Sequence, residues 1–294
     1  MSQQSTHKSP QTARRAARVV VVGDTGLDVT FLVESRAADE KRVVRGTRRG
    51  LGGTGANAAA IAARLGARVR LVTTVGTDAL AAWIGAEVAK IVDAADVATL
   101  PGDSEVSLIV IDDQGRREVL VDIGVAESID LAAARRAASW ADWIYVTAPT
   151  PDLVRAILMG PDSPRLVVGA EARHLEADWG SLLGEADALI TNSRGEANLP
   201  SSVPRIVCVT LGARGARVTN DGSSVVVPSP VVQEVDGTGA GDAFGGAFVS
   251  LLAAGSELHQ AARLACAAGA AVASVLGAQS SLPDLNAIER LVHN

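Results

Sequence analysis

The sequence predicts an α/β protein whose mostly parallel central sheet is covered by helices. The apolar run at residues 19–22, which ends at Gly23, is typical of a strand buried on both faces. Segments with strand and helix patterns alternate along most of the chain, which indicates parallel strands joined by right-handed crossovers. The 294 residues are 48% hydrophobic and 20% charged, which is enough for one large core.

The elements follow in chain order from apolar periodicity and turn residues. Short apolar runs predict strands at 19–22, 68–75, 143–146, 165–168, 188–191 and 205–210. Segments rich in Ala and Leu predict helices at 55–66, 79–92, 131–140, 151–159, 240–254, 256–276 and 285–292. Strand-like runs around turns that contain glycine predict hairpins at 106–121 and 216–227.

Two polar, extended segments interrupt the alternation, at residues 30–49 and 106–121. They predict a small β lid over the ligand end of the sheet, formed by about 29–50 and 105–123 within a single domain, 19–294. Residues 1–18 are polar and basic without the apolar core of a signal peptide, so we expect a disordered tail there.

Composition and charge exclude several classes of protein. The net charge of −6 and an aromatic content of 3% argue against a nucleic-acid partner. The two cysteines, Cys208 and Cys266, form no disulfide framework, which fits a reducing cytoplasm. The uncharged stretch 264–282 is rich in Ala, Gly and Ser, which favours a core helix over a membrane span. We therefore expect a cytoplasmic protein without a membrane or nucleic-acid partner.

The segment 235–244 carries the clearest chemical signal. Three glycines and an alanine stand between a valine-rich run and a helix pattern, so backbone N–H groups can converge at a helix N-terminus and bind an anion. Asp242 falls in the first helical turn. It is either a structural acid at that helix end or a general base beside the anion site.

Two further segments place small or acidic residues where a ligand could approach. Small residues at 52–60 allow close contact with the backbone, and Asn57 offers an amide, although tight helix packing explains the same alanines equally well. Asp24 and Asp28 follow the first strand, at the sheet edge where parallel sheets bind ligands. Turn capping is the structural alternative for either aspartate.

Together these motifs resemble the ribokinase (PfkB-type) family of carbohydrate kinases. Residues 52–57 resemble its N-terminal glycine motif, and 236–242 (DGTGAGD) resembles its highly specific C-terminal signature. Residues 210–215 look like its nucleotide-binding strand and turn, and 277–281 resemble the late loop near a monovalent-cation site. The resemblance covers nearly the whole chain. It implies a three-layer α/β/α sandwich with a small β lid, and transfer of the ATP γ-phosphoryl group to a hydroxyl of a sugar.

The resemblance also implies a role for each motif residue. Asp242 would take the proton from the sugar hydroxyl, beside an anion hole of Gly239, Ala240 and Gly241. The sugar would be held by Asp28, Gly52, Gly53 and Asn57. The ATP site would include Asn192, Thr210, Gly212 and Gly215. A potassium ion would match Asp236, Thr238, Val272, Val275, Gly277 and Ser281, mostly through backbone carbonyls, and Glu196 would serve magnesium.

Several positions depart from the ribokinase pattern. Gly26, Thr54 and Thr147 stand where ribokinases carry asparagine, lysine and glutamate, so three expected ribose contacts are missing. The Asn-x-x-Glu motif is irregular, because Glu196 follows Asn192 one residue late. The acceptor class therefore stays open among pentoses, hexoses, keto-sugar acids, sugar phosphates and nucleosides.

Five basic residues precede the glycine motif: Lys41, Arg42, Arg45, Arg48 and Arg49. They form either a solvated charged face or a site that recognises an already phosphorylated sugar, since arginine binds phosphate bidentately.

Competing functions find less support in the sequence. Gly50-x-Gly52-x-x-Gly55 matches a dinucleotide-binding motif, but no buried strand leads directly into it. No Walker-type phosphate loop occurs, and the four histidines lack the spacing of metal ligands. A sugar or nucleoside sensor without turnover is the binding-protein alternative.

We also expect a homodimer formed through the lid. Alternating apolar residues at 107–111 and 119–121, among them Ile109 and Leu120, predict an apolar face that the main domain covers only in part. A second lid packed across a two-fold axis would bury the rest.

Overall fold

Two sheets account for thirteen strands in the computed structural model, which describes residues 16–34, 43–160 and 164–293. The strands are β1 (Arg18–Val22), β2 (Gly26–Val33), β3 (Gly46–Gly52), β4 (Arg68–Val75), β5 (Ala94–Thr99), β6 (Glu105–Asp112), β7 (Arg117–Asp122), β8 (Trp143–Val146), β9 (Arg165–Gly169), β10 (Ala188–Asn192), β11 (Ile206–Thr210), β12 (Ala216–Asn220) and β13 (Ser223–Val227). The helices are α1 (Thr54–Arg64), α2 (Ala81–Val88), α3 (Leu131–Ala138), α4 (Pro151–Leu158), α5 (Ala172–Leu175), α6 (Ala240–Ala253), α7 (Leu258–Ala273) and α8 (Leu285–His293).

The nine-stranded central sheet has the order β13-β12-β11-β10-β9-β8-β1-β4-β5. Its strands from β11 to β5 are parallel, and the antiparallel pair β12–β13 closes one edge. In β1, Val19 and Val21 belong to one hydrophobic cluster, whereas Val20 and Val22 belong to the other. The predicted strand buried on both faces is confirmed.

Helices cover this sheet on both faces. The cluster on one face includes residues of α1, α2, α6, α7 and α8, and the cluster on the other face includes residues of α3, α4 and α5. Local signals start two of these helices: Asp130 accepts backbone hydrogen bonds at the start of α3, and Thr150 does the same before Pro151 in α4. The result is the predicted three-layer α/β/α sandwich.

The second sheet is the lid, with the strand order β3-β2-β6-β7. Strands β2 and β6 pair in parallel, and the two outer pairs are antiparallel. Strands β6 and β7 lie within the predicted segment 105–123, whereas β2 begins before the segment 29–50, at Gly26, and β3 ends after it, at Gly52. Ser107, Ile109 and Ile111 are buried, whereas Leu108 and Leu120 form a cross-strand pair of exposed side chains.

Some elements differ from the sequence prediction. Strand β5 was not predicted, because three of its six residues are alanine and Val97 is its one large apolar residue, although it pairs along β4. Helix α7 ends at Ala273, short of the predicted 276, before the left-handed Gly277. Strand β1 begins at Arg18, inside the predicted tail, and residues 1–15 lie outside the described part. Within the described ranges, no helix is long and apolar enough to cross a membrane.

Candidate active site

The loop that precedes α6 forms the floor of the site. Gly239 adopts a left-handed φ of 76°, and a Cβ there would lie 2.4 Å from the Cβ of Ala278, so the position requires glycine. A Cβ at Gly241 would meet nothing within 4 Å, which leaves open space beside the first turn of α6. The unpaired N–H groups and the dipole of this 14-residue helix make the loop suited to phosphate.

Asp242 is the third residue of α6 and stands beside this loop. Its Oδ2 accepts a hydrogen bond of 2.8 Å from Nδ2 of Asn57 on α1. Burial raises the pKa of Asp242 to about 7, the hydrogen bond from Asn57 opposes the rise, and the nearby carboxylates Asp24, Glu171 and Asp28 add to it. A carboxylate with this pKa accepts a proton at neutral pH more readily than an ordinary aspartate.

Gln279 orients the partner of Asp242. Its Nε2 donates to Oδ1 of Asn57 at 2.9 Å and to the carbonyl of Leu51 at 3.1 Å. The amide of Asn57 is thereby fixed with its NH₂ group towards the carboxylate. The sequence placed Gln279 in a motif but gave it no role, because its contacts are with residues more than two hundred positions earlier.

The residues expected to hold the acceptor gather around this pair. Gly53 begins α1 with φ 88° and accepts the backbone N–H of Asn57 at 3.0 Å. Gly52 lies against Asp28, since a Cβ at Gly52 would be 2.0 Å from Oδ1 of that carboxylate. Burial raises the pKa of Asp28 to about 6, a hydrogen bond from Ser107 opposes the rise, and nearby Asp24 and Asp236 add to it.

The three positions that depart from the ribokinase pattern lie next to one pair of carboxyl groups, those of Asp24 and Glu105. Thr54 donates to Asp24 through its backbone N–H, at 2.8 Å, and through its hydroxyl, and Thr147 donates to the same carboxylate at 3.4 Å. A Cβ at Gly26 would lie 2.7 Å from the Cβ of Glu105, whose carboxyl group is hydrogen-bonded to Asp24. Burial, with nearby negative charge, raises the pKa of Glu105 to about 9. Asp24 therefore has the capping role that was the structural alternative.

A cavity of about 330 Å³ borders the loop that precedes α6, residues 236–239, called the phosphate loop below. Its lining includes Thr210, Gly212 and Gly215, as expected for a nucleotide site, together with Gly241 and Phe244 of α6. The thiol of Cys266 also faces it. Burial raises the pKa of that thiol to about 12, so the group is an inert part of the wall.

The irregular Asn-x-x-Glu motif is engaged in protein contacts. Oδ1 of Asn192 accepts the backbone N–H groups of Arg194 and Gly195 at 3.0 Å each, and Asn192 is not among the residues that line the nucleotide cavity. The Glu196 carboxylate is bound by Arg217. Among the described residues, no group of three or more His, Cys, Asp or Glu side chains could hold a metal. The magnesium role of Glu196 remains a prediction.

Asp236 joins the two loops that are predicted to bind potassium, residues 236–238 and 277–281. It is 3% exposed. Its Oδ1 accepts both the N–H and the hydroxyl of Thr238, at 2.9 and 2.6 Å, and its Oδ2 accepts the N–H of Gly277 at 2.9 Å. The backbone N–H of Asp236 also bonds to the carbonyl of Ala273 at 3.1 Å. Asp236 thus ties the loop at Thr238 to the loop at Gly277. The potassium set remains a prediction.

A second cavity, of about 270 Å³, borders Asp28. Two basic side chains, Arg48 of the lid and Lys90, are among its lining residues, and Lys90 pairs with Glu87 at 2.6 Å. Of the other basic lid residues, Arg45 pairs with Glu34. Arg49 is exposed and is not among the lining residues, and Lys41 and Arg42 lie outside the described ranges.

Comparisons with known proteins identify the family of this chain. The model of the pfkB family of carbohydrate kinases matches residues 16–157 and 176–285. The chain belongs to this family. It is therefore a kinase, a phosphotransferase with an alcohol group as acceptor, and its relatives act on sugars, sugar phosphates or nucleosides.

Relatives of this pfkB-family kinase differ in acceptor. An ATP-dependent ribose-1-phosphate kinase of Halopiger xanaduensis is 32% identical over 287 residues, which cover 90% of this chain and 94% of that protein. A ribokinase of Bacillus subtilis is 28% identical, with coverage of 93% and 99%. The crystal structure of a Thermotoga maritima ribokinase matches with a TM-score of 0.76 at 21% identity, covering 95% and 100% of the two chains, and supports the fold.

Proposed function

We propose that this kinase transfers the γ-phosphoryl group of ATP to a hydroxyl of a small sugar-like acceptor, with Asp242 as the base. The observation that carries the proposal is the position of Asp242. Its carboxylate stands in the first turn of α6 beside the phosphate loop, held by Asn57, with a pKa raised to about 7. A structural acid at a helix end would need neither the amide partner from α1 nor a buried setting.

The reaction follows from the surrounding groups. Asp242 accepts the proton of the acceptor hydroxyl while the oxygen of that hydroxyl forms a bond to the γ-phosphorus of ATP. The bond between the γ-phosphorus and the β–γ bridging oxygen breaks, and ADP leaves. The backbone of Gly239, Ala240 and Gly241 stabilises the negative charge on the transferred group. Magnesium enters as the counter-ion of ATP and neutralises charge on its phosphates. The protein contributes mainly position and electrostatics.

A phosphorylated sugar is the acceptor class that the second cavity favours. Arg48 and Lys90 line this cavity together with Glu87, which pairs with Lys90. Asp28, which is expected to bind acceptor hydroxyls, lines it as well. A guanidinium and an ammonium group near a hydroxyl-binding carboxylate can hold a phosphate at one end of a sugar while its other end faces Asp242. The name of the Halopiger relative, a ribose-1-phosphate kinase, supports the same class.

The test is a phosphorylation screen with ATP and matched pairs of free and phosphorylated sugars, with nucleosides as a third group. Turnover should be greatest with a pentose phosphate, and Arg48→Ala should raise the KM for that acceptor roughly tenfold while leaving the KM for free ribose unchanged. Arg49→Ala is the matched control. Binding of a sugar without ATP consumption would support a sensor instead, and greatest turnover with free ribose would reject the sugar-phosphate class.

We further propose that potassium occupies the carbonyl-rich junction around Asp236 and Gly277, with Thr238, Val272, Val275 and Ser281 completing the set. The hydrogen bonds of Asp236 to both loops support a preformed site. Activity should rise several-fold when potassium replaces a bulky organic cation at saturating magnesium and ATP. An equal rate in both salts would remove potassium from the mechanism.

We also propose a homodimer formed through the outer face of the lid, in a cytoplasmic protein. The exposed apolar side chains Leu108 and Leu120 support it, because they lie side by side on β6 and β7 and are 37% and 56% exposed. Sedimentation at micromolar concentration measures the assembly, and a monomer would reject it.

A further inference from the structure

Gln279 lies between α7 and α8 and reaches across to α1 and β3. Its Nε2 group donates to Oδ1 of Asn57 at 2.9 Å and to the carbonyl of Leu51 at 3.1 Å, so both hydrogens of this amide are used. Asn57 in turn donates through Nδ2 to Asp242 at 2.8 Å. The side chains of Gln279, Asn57 and Asp242 therefore form one chain of hydrogen bonds that ends at the carboxylate.

The direction of this chain is set at Gln279. An asparagine amide can present either its oxygen or its NH₂ group to a neighbour, because the two groups are similar in size. Asn57 is 6% exposed, and the donor of Gln279 takes its oxygen, which leaves the NH₂ group for Asp242. Without that donor the amide is free to turn its oxygen towards the carboxylate, and two acceptors would then face each other.

The orientation of Asn57 matters because the charged groups around Asp242 oppose its ionised form. Burial raises the pKa of Asp242, and three carboxylates from other segments of the chain add to the rise: Asp24, Asp28 and Glu171. The phenol of Tyr145 on β8 is close enough to interact with the same carboxylate. The hydrogen bond from Asn57 acts in the opposite direction and lowers the pKa. The ionised carboxylate thus depends on one correctly turned amide.

We propose that Gln279 is a positioning residue for phosphoryl transfer, which acts through Asn57 to hold Asp242 ready to accept the proton of the acceptor hydroxyl. This inference rests on the proposed kinase function. A residue that only anchored its own segment would need the bond to the Leu51 carbonyl and not the bond to Asn57. Gln279 also lines the cavity that borders Asp28, so it supports the base from the acceptor side of the site.

The first measurement follows Asp242 itself and needs neither ATP nor an acceptor. NMR titration of its carboxyl carbon, assigned by the signal that is lost in Asp242→Asn, should give a pKa of about 7 in the wild type. Gln279→Met keeps the length of the side chain and removes the donor, so the pKa of Asp242 should rise by about one pH unit. Gln279→Glu is a second variant of the same size. Its carboxylate cannot donate, so the rise should be at least as large.

The second measurement is the single-turnover rate with ATP and the pentose phosphate that gives the greatest turnover in the screen. Only the ionised form of Asp242 accepts a proton, so a rise of one unit in its pKa should lower the rate of Gln279→Met about fivefold at pH 7 and less than twofold at pH 9. A merely structural disturbance would lower the rate by the same factor at both pH values.

The matched control is Arg64→Met. Arg64 of α1 donates to the carbonyl of Leu282 at 3.2 Å, so it ties the same segment to the same helix. This variant should leave the pKa of Asp242 within about 0.3 unit of the wild type and the rate within about twofold at both pH values.

A double variant tests whether Gln279 acts through Asn57. Asn57→Ala should by itself raise the pKa of Asp242, because it removes the donor to the carboxylate. Adding Gln279→Met to Asn57→Ala should change that pKa by no more than about 0.3 unit, since the two residues belong to one chain of hydrogen bonds.

The outcomes separate this inference from the proposed function. An unchanged pKa of Asp242 in both Gln279→Met and Gln279→Glu overturns the positioning role, and so does a further rise in the double variant. An equal rise in Arg64→Met would indicate general anchoring of the segment and would also overturn it. Failure of the kinase proposal would appear in the wild type, as absence of phosphoryl transfer to every acceptor in the screen, whereas the NMR titration does not depend on turnover.

Discussion

The central sheet and the lid contribute different kinds of group to the same site. Around the ends of the central strands the groups are largely backbone: the amides before α6 and the turns at Gly53 and Gly277, with Asp242 among them. The lid contributes charged side chains, namely Asp28, Arg48 and Arg117. The central sheet is packed between two buried clusters, whereas the lid is a single sheet of four strands with exposed apolar side chains on β6 and β7.

This difference separates the chemistry from the choice of acceptor. Backbone amides survive most substitutions, so the central sheet can conserve phosphoryl transfer through large sequence change. Lid side chains change with single substitutions and can alter which molecule is phosphorylated. This division of roles would be contradicted by a lid residue that controls the chemical step. A residue of α6 that controls the choice of acceptor would contradict it as well.

The largest effect is expected when one aspartate in each region, Asp242 of α6 or Asp28 of the lid, is replaced by asparagine. Asp242→Asn removes the base but keeps the size of the side chain, so kcat should fall by roughly three orders of magnitude while ATP binding survives. Asp28→Asn is the matched lid variant and should mainly raise the acceptor KM. Single-turnover rates and nucleotide titration measure both. Near wild-type turnover in Asp242→Asn would remove it from the role of base.

The next largest effects are expected from aspartate substitutions on the two faces of the lid. Leu120→Asp, on the outer face, should convert the proposed dimer to monomers and change the melting temperature by no more than about 2 °C. Ile109 was expected to share this face, and that expectation was wrong, because Ile109 is 1% exposed and packed inside the chain. Ile109→Asp should therefore lower the melting temperature by more than about 5 °C. Sedimentation combined with calorimetry distinguishes the two; equal effects of both variants would contradict the assignment of the faces.

The pH dependence of the rate tests the setting of Asp242. Its pKa is raised to about 7, and the protonated acid cannot accept a proton, so the single-turnover rate should fall about tenfold per pH unit below 7 and level off above it. Burial raises the pKa of Asp28 to about 6, and ionisation of this group should affect the acceptor KM instead. A chemical step that is constant between pH 5.5 and 8 would contradict this prediction.

The smallest expected effect on turnover concerns Glu105, which acts on stability. Its pKa in the folded protein is raised from 4.5 to about 9, so its favourable contribution to stability is complete below 4.5 and is lost as the pH rises towards 9. Glu105→Gln keeps a donor for Asp24 and removes the titration. The melting temperature of the variant relative to the wild type should therefore rise by roughly 10 °C between pH 5 and pH 9. A constant difference across this range would show that Glu105 is ionised in the folded protein.

The sequence predicted those features that depend on local pattern. Apolar runs such as 19–22 identify buried strands, and the spacing of glycines at 237, 239 and 241 identifies the tight loop before α6, because each constraint acts within a few residues. It did not predict the contacts of Gln279, Glu105 or Arg117. These residues contact Asn57, Asp24 and Thr238, and only the tertiary fold brings these partners together.

The parallel pairing of β2 with β6 also has a kinetic consequence. Gly26 pairs with Glu105, and the chain between them must first build α1, β4, α2 and β5 on the central sheet. Joining segments so far apart carries a large loop-closure cost, which is recovered only once the intervening unit is in place. The lid should consequently form late in folding, and its backbone amides should exchange with deuterium before those of β1.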